Sequence, residues 1–127
     1  MVFCLLTALR YHELTTQSPH EVWIAIANKA YAPRLDYPSL RIVRFSSQSL
    51  NPGVETRQIE GISMRITGIE KTVADCFKFR NRIGLDVALE ALREARSTDH
   101  FDIDKLWRFA KVDRVTNVIR PYLEALA

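Results

Sequence analysis

The sequence predicts an α+β fold, and three observations carry that prediction. Strand-like segments all fall between residues 21 and 66, whereas helical periodicity fills the chain after Thr67. Such segregation argues against an alternating, doubly wound sheet. Glu21–Ala27 (EVWIAIA) is apolar on both alternating faces, the pattern of a central strand covered on both sides. Finally, Gly61–Leu92 strings together a turn, a strand, a helix start, a glycine stop and a second amphipathic helix, every local signal agreeing with its neighbours. The expected architecture is an N-terminal helix, a small three- to four-stranded sheet and a four-helix C-terminal half, all in one domain spanning residues 1–127.

In chain order, Val2, Leu5, Leu6 and Leu9 recur with helical spacing and predict a helix over Val2–Leu14. Thr15 to Pro19 end it. After the Glu21–Ala27 strand, Asn28–Pro38 holds two prolines and two tyrosines and reads as a loop. Leu40–Phe45 is a second strand. Ser46–Gly53 is a connection with an Asn51-Pro52-Gly53 turn. Val54–Ile59 is polar and alternates poorly, which places it at a sheet edge. Glu60-Gly61 joins it to Ile62–Ile66 as a two-residue hairpin turn.

Thr67-Gly68-Ile69-Glu70 matches a capping box, in which Thr67 accepts from the Glu70 amide and Glu70 reaches back. The helix it opens buries Ile69, Val73, Cys76 and Phe77 and is expected to stop at Gly84. Leu85–Ala95 is the next helix, with Leu85, Ala88, Leu89 and Leu92 inward. Asp102 caps a third, facing Ile103, Leu106, Trp107 and Ala110 to the core. Val115, Val118, Ile119, Tyr122 and Leu123 make a fourth stripe, whose period continues through Pro121 as a kink or restart.

The 127 residues are 47% hydrophobic and 26% charged, ordinary values for a soluble globular protein. Cys4 and Cys76 both sit among apolar neighbours, as buried free thiols do, and so point to a reducing cytoplasm. The apolar start is too short to span a bilayer and lacks a basic flank, so no membrane association is expected. Net charge is +3, and neither half of the chain forms a strongly basic block.

Catalytic motifs are tested by spacing. The four glycines, at 53, 61, 68 and 84, fit neither a phosphate-binding P-loop nor a dinucleotide fingerprint. The residues two positions before each lysine are Ala27, Ile69, Cys76, Ile103 and Phe109, so the acid-x-Lys pattern of a metal-dependent nuclease is missing. His12, His20 and His100 stand singly, which offers no converging metal ligands. The reading is a non-enzyme with no cofactor and no metal. Asp75, on the flank of a helix stripe, and Arg80, near its middle, are expected to find polar partners inside the fold.

Three basic groups remain. Arg34, Arg41 and Arg44 lie near Tyr31 and Tyr37, a mixture suited to phosphate contact and base stacking. Lys78 and Arg82, with Arg80, close the capped helix, and Arg108, Lys111 and Arg114 recur on the outer face of the third helix. Each group reads either as a solvated or dipole-complementing face, or as a weak, salt-dependent nucleic-acid or partner contact.

The segments CLLTALRYHELTTQSPHEVWIAI, RIVRFS, GVETRQIEGISMRI, KTVADCFKFRNRIGLDVALEALRE and VTNVIRPYLEAL together resemble the C-terminal domain of AbiEi-type antitoxins. These belong to abortive-infection, type IV toxin–antitoxin systems and are often described as transcriptional regulators. The resemblance implies a domain that counteracts a nucleotidyltransferase-like toxin, without requiring a stable complex. Members of that family carry an N-terminal winged helix that binds operator DNA. This chain starts at the first helix of the second domain, so the resemblance implies that the winged helix, and operator binding with it, is absent. The alternatives are a nucleic-acid-binding module acting through its basic groups and a diverged, inactive nuclease-like domain.

Overall fold

In the computed structural model, which describes residues 1–126, the chain begins with β1 (Val2–Phe3), α1 (Leu5–Tyr11), β2 (Val22–Ala27) and β3 (Leu40–Phe45). A single-turn α2 (Ser47–Leu50) leads to the hairpin β4 (Val54–Ile59) and β5 (Ile62–Thr67). Five helices follow: α3 (Ile69–Lys78), α4 (Arg80–Ile83), α5 (Leu85–Arg96), α6 (Ile103–Val112) and α7 (Thr116–Leu126). The α+β class is as the sequence predicts. The counts differ, with five strands for the expected three to four and five helices after the sheet for the expected four.

The sheet is mixed, in the order β3-β2-β1-β5-β4. β2 and β3 pair in parallel from Val22↔Leu40 to Ala27↔Phe45, and β4 and β5 pair antiparallel from Val54↔Thr67 to Ile59↔Ile62. Glu60 and Gly61 turn that hairpin with φ of 52° and 78°, both left-handed as a type I′ turn requires. The polar β4 lies at an edge, and β2 is interior with Trp23 to Ile26 buried. Trp23 and Ala25 on one face of β2, with Val43 and Phe45 of β3, join the helical core.

The added strand is β1, in a stretch whose spacing predicts helix. Val2 pairs with Ala25, and Phe3 pairs with Ile24 on one side and Ile66 on the other. A two-residue strand is too short to display any period, so the apolar run Val2–Leu9 merges it with the helix that follows. The chain turns into α1 at its first residue, Leu5, whose φ is +46°.

α3 is the hub, packing against α1, α5, α6 and α7, and all its residues from Glu70 to Phe77 are buried. It stops at Lys78 because Phe79 leaves the helical region (φ −104°, ψ 24°), and α4 is a separate turn before Gly84 at φ +99°. The capping box does not form. Thr67 is the last paired residue of β5, its hydroxyl lies 2.6 Å from that of Thr72, and Gly68 takes the cap position. Glu70 instead accepts from the Asp102 amide at 3.0 Å, tying α3 to the start of α6. Asp102 caps α6 as predicted, accepting from the amides of Asp104 and Lys105. α7 runs through Pro121 without ending.

α1 and α6 close alike. Leu14 N donates to Leu9 O and Glu13 N to Arg10 O, while Val115 N donates to Ala110 O and Arg114 N to Lys111 O. Both are Schellman motifs, with Glu13 and Arg114 in the left-handed position at φ +61° and an apolar residue returning to the core.

Candidate functional site

Two charged assemblies lie next to one another, one sealed and one open. The sealed one centres on Lys71, fully buried on α3. Its ammonium donates to Asp75 Oδ1 at 2.6 Å, one turn further along, and stands 3.8 Å from Asp113 Oδ1 and 4.5 Å from the Phe45 ring centroid. Asp113 reaches this position as the C-cap residue of α6. Gly53 covers the lysine stem so closely that an added Cβ would lie 2.5 Å from Lys71 Cβ. Burial pushes the Asp75 carboxyl well above the ordinary carboxylate range; Lys71 opposes the rise and Asp113 adds to it. Two acids thus face one base in a dry site, and Asp75 Oδ2 and both Asp113 carboxyl oxygens make no hydrogen bond among the described residues.

The open assembly is a cleft of ≈ 360 Å³ beyond the same Phe45 ring, which helps to line it together with Val112. Arg44 from β3, Lys78 from the last turn of α3 and Arg114 from the end of α6 are among its lining residues. Asn28 and Ser46, the first residues after β2 and β3, and Gln48 add neutral polar groups, and among the described lining residues none is acidic. Arg44 is anchored by Nη1, which donates to the carbonyls of Ala27, Asn28 and Ala30 at 3.2, 2.8 and 2.8 Å. Lys78 is half-buried and stands 3.5 Å from the Asp113 carbonyl oxygen.

The sequence matches no family model and no curated protein.

The structure therefore sorts the predicted basic residues by environment. Arg41 and Arg82 are structural, their guanidinium carbons 5.1 and 5.5 Å from the centroid of the buried Trp23 ring. Arg41 also lies 3.8 Å from Glu21, and Arg82 donates to the Ile42 carbonyl at 3.4 Å. Arg34 is exposed on the loop between β2 and β3, where Asp36 lines the same hollow. Arg108 and Lys111 are exposed on α6 away from the cleft, and Arg114 lies beyond the helix end, so that trio does not form one face.

Asp75 and Arg80 have separate polar partners. Asp75 binds Lys71, whereas Arg80 donates to the Phe77 carbonyl at 2.8 Å. Arg80 lies past the end of α3, so its place in the helical stripe no longer holds. Lys71 and Asp113 are the residues that sequence reasoning missed. The signal for Lys71 was its i, i+4 spacing from Asp75 on the helix that carries the Ile69, Val73, Cys76 and Phe77 stripe.

Both cysteines are buried and free. Burial raises the Cys4 and Cys76 thiols well above the usual range, with a further rise from Asp75, so neither is poised as a thiolate.

Proposed function

We propose that this chain is a non-enzymatic antitoxin or regulator domain that counteracts a nucleotidyltransferase-like toxin through its basic surface. The observation that carries this reading is the partition of charge. Asp75, Cys4 and Cys76, the groups whose protonation is strongly shifted, are sealed in the core, while Arg44, Lys78 and Arg114 line one open cleft with no acidic residue among its described lining. A surface of that kind recognises a partner or its ligand without needing a reactive group of its own. The family-like segments also fold together: they supply α1, β2 to β5, most of α3, and α4, α5 and α7 around one core.

The test is co-expression with a nucleotidyltransferase-like toxin. Growth is expected to recover at least in part, and Lys78→Glu with Arg114→Glu is expected to weaken rescue at unchanged soluble protein level. Arg108→Glu, outside the cleft, serves as the control. No rescue from abundant, folded protein overturns the reading.

A second reading, a module for single-stranded nucleic acid, draws on the loop between β2 and β3. Tyr31 and Tyr37 are 100% and 89% exposed there and flank Arg34, a pairing of rings and charge that stacks on bases. Binding of this kind is insensitive to sequence and falls steeply with salt. A tight complex with Tyr31→Ala-sensitive stacking would promote this reading over the first.

A further inference from the structure

We propose that the cleft at the carboxyl ends of β2 and β3 binds a small phosphorylated ligand of nucleotide size, with Arg44, Lys78 and Arg114 as the phosphate contacts. The three cations come from three elements distant in sequence, and the fold brings them to one concavity in which no described lining residue is acidic. Their charge is therefore left for a ligand to neutralise. Arg44 is held in place before any ligand arrives: Nη1 is spent on three loop carbonyls, which leaves Nε and Nη2 on a fixed guanidinium. Preorganised cations lose little freedom on binding, and a planar guanidinium suits phosphate oxygens.

The location supports the same assignment. β2 and β3 are parallel, and Asn28 and Ser46 follow directly from their carboxyl ends into the cleft. Ligands of open sheets with parallel strands settle at such ends, where the following residues diverge and leave a crevice. The volume of ≈ 360 Å³ lies at the low end of the range for small-molecule sites, roughly 300–1,000 Å³. That room suits a phosphate group with an attached sugar or base, and not a polymer threaded through.

Arg114 adds a further sign. It occupies the left-handed position after α6, at φ +61°, where glycine is the unstrained choice. The turn leaves Asp113 buried and Arg114 exposed on the cleft. Glu13 holds the same position after α1, so the strain alone does not define a site. The strain gains meaning at Arg114 because it sets a third cation beside the other two.

This inference goes beyond the antitoxin reading and does not depend on it, since binding is measured on the purified chain and rescue in cells. The experiment is calorimetric titration at low salt with inorganic pyrophosphate, AMP, ATP and a short single-stranded RNA. Saturable binding of ATP and pyrophosphate is expected, and Lys78→Gln and Arg114→Gly should each weaken it by about tenfold or more. Arg108→Gln, exposed on α6 outside the cleft, should leave affinity unchanged. Circular dichroism and thermal melting of each variant establish that it is folded. The proposal is overturned by absence of saturable binding to the wild-type chain, or by an equal loss in Arg108→Gln, which would mean diffuse attraction only. RNA that binds more tightly than ATP and depends on the same residues would overturn it in favour of a polymer surface.

Discussion

Lys71 and Lys78 lie two turns apart on the same side of α3, yet they inhabit opposite worlds. Lys71 is sealed beneath Gly53 and Phe45 and answered by two carboxyl groups; Lys78, at the helix end, meets a carbonyl oxygen and an open cleft. Asp113 and Arg114 repeat the contrast with no residue between them, one turned inward to Lys71 and the other exposed on the cleft. The difference teaches that residue type does not decide what a charge does here. Depth decides it: inside, a charge is consumed by its partners and holds elements together, and outside it remains available.

The contrast breaks most visibly at Lys71. Lys71→Ala should cost about 3–5 kcal/mol, because two buried acids lose their base. Urea denaturation measures it, and a loss near zero would mean that the carboxyl groups manage without a cation. Gly53→Ala is expected to cost about 1–3 kcal/mol by the same assay, from overpacking against the Lys71 stem and from the left-handed φ of +77°. A neutral result would show that the cover over Lys71 yields.

The pH dependence sharpens the inner half. The folded-state pKa of Asp75 is raised by burial, so its contribution is fully present below the unfolded value of about 3.9 and is lost as pH rises through the folded value. The slope attributable to this one proton should approach 1.4 kcal/mol per pH unit at most. Comparing urea midpoints of the wild type and Asp75→Asn across that window isolates it, and identical pH profiles would rule it out. The smallest effect lies in the outer half and has the opposite sign. Arg114→Gly should stabilise the fold by about 0.5–1 kcal/mol by relieving the left-handed backbone. A destabilised Arg114→Gly would show that Arg114 holds the fold as well as facing the cleft.

Much of the scaffold is legible in the sequence because its signals are local. The two-sided apolarity of β2, the Glu60-Gly61 hairpin, the polar edge strand β4 and the Asp102 cap each depend on a few adjacent residues. What is not legible is non-local. Thr67 looks like a cap until strand pairing with Val54 claims it, and Glu70 looks like its partner until the Asp102 amide arrives from another element. The candidate site is legible only in part for the same reason. Arg44, Lys78 and Arg114 stand out as basic residues, but in three separate groups, and no spacing rule says that one member of each will share a cleft. Arg41 and Arg82 belong to the same groups and are claimed by Trp23 instead. The Lys71 cluster escapes notice because a helix buried nearly all round has no polar face against which its lysine would appear misplaced.

The two-residue strand β1 has a consequence for how this chain folds. β2 and β5 do not touch each other in the strand order, so Val2–Phe3 is the seam that joins two halves of the sheet. Without it, the sheet would fall into a β2–β3 pair and a β4–β5 hairpin, and isolated two-stranded ribbons are marginal in water. Of the two sides of the seam, the β4–β5 hairpin can form from neighbours alone. Joining it to the rest brings Phe3 against Ile66, across roughly half the chain, and contacts of such high sequence separation slow folding. The two halves of the sheet are thus joined by nearly the first residues of the sequence.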